Sequence, residues 1–301
     1  MIPKPKAHLA LLGTNIFFAI NLTAIKYIIY GGFAKPFAIN IIRVGVSAAL
    51  LWLLFIFQPA KSVIKKRDLG RLILCALTGI AINQLLFVKG LSLTYSIHAV
   101  LLMLTTPILI TIIASWILKE RLSNLKIAGL LLGITGAVIL VTSRDNSGIA
   151  PRVLLGDILI ICNAVAYAIY FILVKPLMKN YNPVAIIRII FTIAFFIMLP
   201  FCWREFKEVS WQGFTWQAWS CLALVVFAGT FFAYLFNVYG IKILGASVAG
   251  AYIYSQPFFA ATIAIIFMSE TITVAKLIAA AFIFTGVYCS NRTVKTPENG
   301  N

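Results

Sequence analysis

Charge is scarce in this chain. Of its 301 residues only 11% are Asp, Glu, Lys or Arg, where soluble domains carry about a quarter. Carboxylates are scarcest, with eight in all, and histidine occurs only as His8 and His98. With 62% hydrophobic residues and a mean hydropathy of +1.01, the chain is too apolar for water and reads as an integral membrane protein. It leaves no room for a soluble domain of ordinary size. The five cysteines (Cys75, Cys162, Cys202, Cys221, Cys289) sit in or beside apolar stretches at irregular spacing. They read as small packing residues, so no disulfide framework, metal or cofactor is implied. The carboxylates Asp68, Glu120, Asp145, Asp157, Glu205, Glu208, Glu270 and Glu298 all fall in loops or at the ends of apolar runs. That argues against a pump that alternates a mid-membrane Glu between a proton and an organic cation. It also argues against an intramembrane enzyme such as a lipid-modifying transferase, which would want a convergent acid, base or metal cluster.

What the sequence has in plenty is long apolar runs. About 20 residues cross a hydrocarbon core of about 30 Å, and ten such runs can be cut: 8–29, 36–58, 70–91, 95–117, 124–143, 154–175, 182–203, 215–238, 246–267 and 273–291. The first follows Lys4 and Lys6 like a signal peptide, but it lacks a small-x-small cleavage site and is expected to stay as a helix. The net charge of +17 comes from Lys and Arg scattered through short loops, so it points to membrane orientation and not to nucleic acid. If the N-terminus is cytoplasmic, fifteen basic residues lie inside and eight outside, which favours both termini inside. The densest group, Lys61-Ser-Val-Ile-Lys-Lys-Arg67, reads first as a plain topology anchor, with binding of anionic membrane lipid as the functional alternative.

The runs repeat. Shifting residues 88–136 by 150 positions lays Val88, Gly90, Ala99, Pro107, Ile113, Ala114, Glu120, Lys126, Thr135 and Gly136 on Val238, Gly240, Ala249, Pro257, Ile263, Ala264, Glu270, Lys276, Thr285 and Gly286. In the first run of each half, Ala19, Ile20 and Lys26 match Ala168, Ile169 and Lys175, at an offset of 149. Five runs per half is an odd number, so the second copy enters the membrane from the opposite side. The expected fold is all-α, with ten transmembrane helices in two inverted-topology five-helix repeats, residues 8–143 and 154–291, flanked by short cytoplasmic termini at 1–7 and 292–301. Such duplication is typical of transporter cores, with a site at mid-depth between the halves.

Candidate pocket residues are the polar and aromatic side chains well inside the runs: Asn15, Asn21, Gln84, Thr106, Asn163, Tyr167, Tyr170, Tyr234, Tyr252 and Gln256. Asn163, Tyr167 and Tyr170 share one helical face, as do Tyr252 and Gln256. Amides among aromatics suit a small amphipathic substrate, although each is also a candidate for helix-to-helix glue. Arg43 and Arg188 lie about two turns inside their runs, where a permanent cation either attracts an anionic or zwitterionic substrate or snorkels to the interface. Pro107 and Pro257 should kink their helices. Glu120 and Glu270 read as structural carboxylates, and Gly129, Gly133 and Gly136 form a small-residue face for packing within the molecule or across a homodimer.

The duplicated five-helix unit, the mid-run proline leading into Leu118-Lys-Glu-Arg-Leu-Ser123, and the Gly-rich fifth run resemble the drug/metabolite transporter superfamily, in its ten-helix EamA-type branch. The second copy of the motif is Met268-Ser-Glu-Thr-Ile-Thr273, which keeps the Glu but loses both basic neighbours. The resemblance implies a permease of the inner membrane that moves small metabolites, amino acids first, by alternating access and often outward. Four-helix relatives carry a Glu inside the first helix and this chain has none there, which disfavours exchange of protons for cationic drugs. A non-transporting receptor or assembly subunit is the alternative.

Overall fold

A computed structural model describes residues 4–57, 64–118, 124–142, 150–244, 252 and 255–291. Glu120 and the ends of the chain beyond these ranges lie outside the described residues. Regular structure there is entirely helical, in ten successive helices. They are α1 (Lys4–Tyr30), α2 (Pro36–Phe57), α3 (Lys66–Leu91), α4 in two pieces (Ser96–Met103 and Thr106–Leu118), α5 (Asn124–Thr142), α6 (Val153–Asn180), α7 (Pro183–Lys207), α8 (216–244), α9 (Gln256–Met268) and α10 (Val274–Asn291). Six of them (α1, α2, α3, α6, α7 and α8) are long and apolar enough to cross a membrane, and α4, α5, α9 and α10 contain shorter apolar stretches. The chain is an all-α, multi-pass membrane protein. α6 and α7 run four to five residues further than their apolar runs, because Lys175–Asn180 and Arg204–Lys207 carry on the helix into polar sequence.

The turns are set by local chemistry. Gly32, at φ +71°, makes the tight α1–α2 turn. The Asn182 side chain accepts from Val184 N at 2.9 Å and Pro183 follows at the first helical position, a strong start for α7. Ser269 takes the left-handed conformation (φ 53°) that ends α9, and Glu270 N then donates back to Ala264 O at 3.3 Å.

Helix directions alternate. The end of α1 meets the start of α4 and the residues after α9, while the start of α1 meets the start of α9 through a 2.8 Å bond between His8 Nδ1 and Tyr252 Oη. The side on which α1 begins is here called the N-terminal face, and the other the distal face. On the distal face Trp203, Phe206, Trp211, Phe214, Trp219 and Phe33 stack in a continuous chain, with centroids 5.0–6.1 Å apart, the composition of a membrane-interface belt. Large apolar side chains such as Phe196, Phe201, Ile266 and Phe267 stay exposed on the flanks, as lipid requires.

Two helices depart from α geometry at matching places. α3 holds a π-helical turn at Leu77–Ala81, and α8 holds a longer one at Leu224–Phe232. α4 breaks at Leu104–Thr105, so Pro107 starts its second piece and does not bend a continuous helix; Pro257 stands at the same position of α9, just after the turn at Ser255. Thr106 Oγ1 donates to Met103 O (2.6 Å), the carbonyl that Pro107 cannot serve, and beside the breaks Thr105 Oγ1 donates to Leu102 O (2.6 Å) and Ser255 Oγ to Tyr252 O (2.7 Å). α5 and α10 cross in contact: a Cβ on Gly136 would lie 2.8 Å from Ala279 O, and one on Gly286 would lie 2.5 Å from Gly133 N. The glycine face of α5 is therefore used inside the molecule.

Candidate binding site

Polar side chains inside this bundle fall into two groups. Some spend their hydrogen bonds on backbone. Asn15 Nδ2 donates to Leu11 O one turn back (2.8 Å), and Asn163 Nδ2 donates to Asn83 O (2.7 Å) while Asn83 Nδ2 returns a longer bond to Asn163 O (3.4 Å). Thr14 Oγ1 donates to Ala233 O at 3.3 Å, and Thr106 Oγ1 to Met103 O at 2.6 Å. These side chains tie helices or breaks together. Tyr252 sits at the N-terminal face with His8, about 20 Å along α1 from Asn21 at 1.5 Å per residue. Gln256 is buried at the start of α9, one turn further in than Tyr252.

The second group gathers around Arg43. Its guanidinium is buried in α2 and donates from Nε to Thr230 Oγ1 (2.9 Å) and from Nη2 towards Gly229 O (3.5 Å), both on the π turn of α8. Nη1 has no partner, and no carboxylate pairs with Arg43 among the described residues. Asn40 and Ser47 flank it at three and four residues, on the same helical face. Asn40 Nδ2 donates to Gln84 O (2.9 Å), and Gln84 Nε2 to Tyr234 Oη (3.3 Å), whose hydroxyl lies within electrostatic reach of Arg43. Around the guanidinium, Asn21 Oδ1, Asn40 Oδ1, Ser47 Oγ and Gln84 Oε1 are buried with no partner. Asn21 packs directly on Gly229, where a Cβ would lie 2.4 Å from its Oδ1. Tyr170 packs on Gly79 in the same way, at 2.3 Å, with Tyr167 beside it at 5.6 Å between ring centroids.

A guanidinium in a low-dielectric interior is held at high cost when nothing negative faces it. Arg43 is not snorkelling. The π turn supplies a hydroxyl and a freed carbonyl, which solvate part of the cation without neutralising it. The arrangement can therefore bind an anionic group, with amide and phenol groups beside it for the rest of a small molecule.

Arg188 is placed otherwise. Its guanidinium lies 3.6 Å from the ring centroid of Phe55 and 4.4 Å from that of Trp52, joining α7 to α2 by cation–π contact towards the N-terminal face. Asn40, Ser47 and Thr230 were not singled out in the sequence. Asn40 and Ser47 carry a readable signal, since they share a face with Arg43, but Thr230 needed the π turn to reach it.

The distal ends of the helices hold a second buried polar group. Lys26 Nζ and Glu270 Oε1 pair at 2.9 Å, both side chains 0% exposed, and Glu270 also accepts from Ser96 N (2.7 Å) and Ile97 N (3.0 Å) at the start of α4. One carboxylate thus neutralises a lysine of α1 and caps α4. Both Lys26 and Lys276 reach the Tyr95 ring, with ammonium-to-centroid distances of 5.9 and 4.7 Å.

Compared with known proteins, residues 5–142 and 154–292 each match the EamA-like transporter family. The "Uncharacterized transporter YetK" of Bacillus subtilis is 28% identical over 161 residues, 53% of this chain and 48% of the relative. The "Uncharacterized transporter YyaM" of the same organism is 26% identical over 181 residues, 59% of this chain and 58% of the relative. The matched part of the chain thus spans about half the length of these curated relatives. A solved crystal structure shares the fold, with a TM-score of 0.61 at 18% identity over 94% of this chain and 95% of its own.

Proposed function

The chain belongs to the EamA-like transporter family, in the drug/metabolite transporter superfamily, and on that premise we propose that it carries a small carboxylate-bearing metabolite, amino acids being the first class, across the inner membrane. The observation that carries this reading is Arg43: a buried guanidinium with Nη1 free and no carboxylate partner among the described residues. A substrate carboxylate would supply the missing counter-charge, and Asn21, Asn40, Gln84 and Tyr234 would take its polar groups. Tyr167 and Tyr170 would pack against its apolar part.

Movement would be a rocking of two halves, residues 8–143 and 154–291, about this site, with both termini cytoplasmic and export or exchange as the direction. The pairing of Lys26 with Glu270, and of Glu270 with α4, joins the two halves on the distal side. That side is then closed in this conformation, and opening it requires Glu270 to let go.

The test is ligand-dependent thermal stabilisation of the purified protein against amino acids, organic anions, sugars, nucleosides and organic cations, followed by flux of the hits in proteoliposomes. A ligand at 100 times its Kd should add about 2.7 kcal/mol of stability. Stabilisation by zwitterions or anions, lost in Arg43→Gln, supports the reading. A response to cations alone, or binding without flux, overturns it; the latter would favour a receptor or assembly subunit.

A further inference from the structure

Asp157, in the second turn of α6, and His98, in the first turn of α4, are each 0% exposed. Asp157 Oδ1 accepts a short bond from Thr94 Oγ1, and Oδ2 lies 2.9 Å from His98 Nδ1. An ionised carboxylate only accepts, so the pair fixes the imidazole tautomer: Nδ1 carries the hydrogen, and Nε2 is left as a bare lone pair. That Nε2 is buried with no partner. No lysine or arginine pairs with Asp157 among the described residues. The site therefore holds a buried anion and a vacant base two bonds from its neutralising position.

We propose that His98 and Asp157 form a proton-binding site that closes the distal face when occupied. A proton from water on the distal side takes the Nε2 lone pair, and the His98–Asp157 contact changes from a hydrogen bond on a lone carboxylate to an imidazolium–carboxylate ion pair. Because Thr94 and His98 belong to the first half and Asp157 to the second, this pair, like Lys26 with Glu270, has to part when the halves separate on that side. Occupancy favours the joined state, so acid closes the distal face and alkali opens it.

Other charges around the pair do not remove the argument. Tyr95 faces His98 at 5.4 Å between ring centroids. Glu270, from the turn after α9, is neutralised by Lys26 of α1, with Tyr30 5.6 Å from that ammonium. Lys276 of α10 bonds Thr271 O at 2.8 Å and lies over the Tyr95 ring, 4.7 Å from its centroid. Lys89 of α3 and Arg152 before α6 have exposed side chains. The inference rests on the transport reading only for the purpose that closure serves; the proton site can be measured with no substrate.

Two histidines make the measurement direct. Ring ¹⁵N spectra of the full chain in nanodiscs, compared with those of His8→Gln, isolate His98 across pH. In parallel, hydrogen exchange at the Ser96 and Ile97 amides, corrected for the intrinsic rate, reports distal closure, because both donate to Glu270. The expected result is that the His98 ring signals show Nε2 protonated in acid and bare in alkali. Amide protection should fall at least about tenfold towards high pH with the same midpoint, a difference of about 1.4 kcal/mol in the opening equilibrium. Asp157→Asn and His98→Gln, each checked for monodisperse folding, should make protection independent of pH. A His98 that keeps one protonation state throughout, or one that titrates while protection stays constant, overturns the proposal. Arg43→Gln should leave the pH response in place while losing ligand stabilisation, so failure of the substrate reading and failure of the proton site are separate results.

Discussion

Gln84 donates from Nε2 to the hydroxyl of Tyr234, and the two residues stand 150 positions apart, the offset that lays one half of the sequence on the other. Under that repeat they are mates, and mates can touch only on the axis that relates them. The same relation orders the packing around them. Tyr170 on Gly79 answers Asn21 on Gly229, Asn163 on Asn83 O answers Thr14 on Ala233 O, and Ile160 beside Gly90 answers Leu11 beside Gly240. Each pair combines an offset of 149 in the first helix of a half with 150 in the third.

Arg43→Gln should cut stabilisation by carboxylate ligands sharply, weakening binding by roughly 10- to 100-fold, since a charge-assisted hydrogen bond contributes about 1.5–3 kcal/mol. The ligand-free protein should be no less stable than wild type, because a buried cation without a counter-ion is itself unfavourable. Thermal unfolding with and without ligand measures both.

Glu270→Gln should behave in the opposite way. It strands Lys26 in a fully buried position and weakens the cap on α4, so a loss of about 3–5 kcal/mol is expected. Lys26→Met combined with Glu270→Gln should recover part of it, which a double-mutant cycle on detergent-solubilised protein would read.

Glycine substitutions should separate by what they meet. Gly229→Ala drives a methyl into Asn21, a side chain, at an expected cost of about 1–3 kcal/mol that Asn21→Ala relieves. Gly286→Ala meets the backbone of Gly129 and Gly133, which cannot turn aside, so its loss should be larger and no single side-chain change should rescue it. Unfolding midpoints of the three variants test the order.

At the distal surface Glu208 is held below its usual carboxylate range by hydrogen bonds from Lys35 and Arg204. The sign follows: these ties persist above the ordinary carboxylate value and loosen only as the pH falls below it. Since all three side chains are exposed, solvent screens the ties and Glu208→Gln should leave the unfolding midpoint unchanged at neutral pH, measurable in the same unfolding assay.

Much of the fold could be read from the residues. The ten apolar runs, the odd count per half and the proline positions follow from length and register, and membrane-crossing helices leave the backbone few other options. Of the candidate site, the type of residue was legible and its partners were not. Asn15 and Asn163 looked like Asn21, yet their amides are consumed by carbonyls that only packing brings near. Asp157 stands near a helix end, as its place beside an apolar run implies, but this helix end is buried under its neighbours, so position alone does not reveal that Asp157 and His98 are fully enclosed. The π turns left no mark in hydropathy, because an extra residue in a turn does not alter how apolar the turn is.

Those turns also carry a statement about gaps. A π turn houses one residue more than the α-helix needs, so a chain lacking one residue between Leu77 and Ala81 could close the ladder and continue. Everything beyond would keep its side of the helix, so Asn83 could still face Asn163 and Gln84 still face Tyr234, while the turn itself, where Tyr170 packs on Gly79, would narrow. When homologous chains are aligned, a single-residue deletion at this point would mark members that keep the contacts beyond the turn but have repacked the place where Tyr170 meets Gly79.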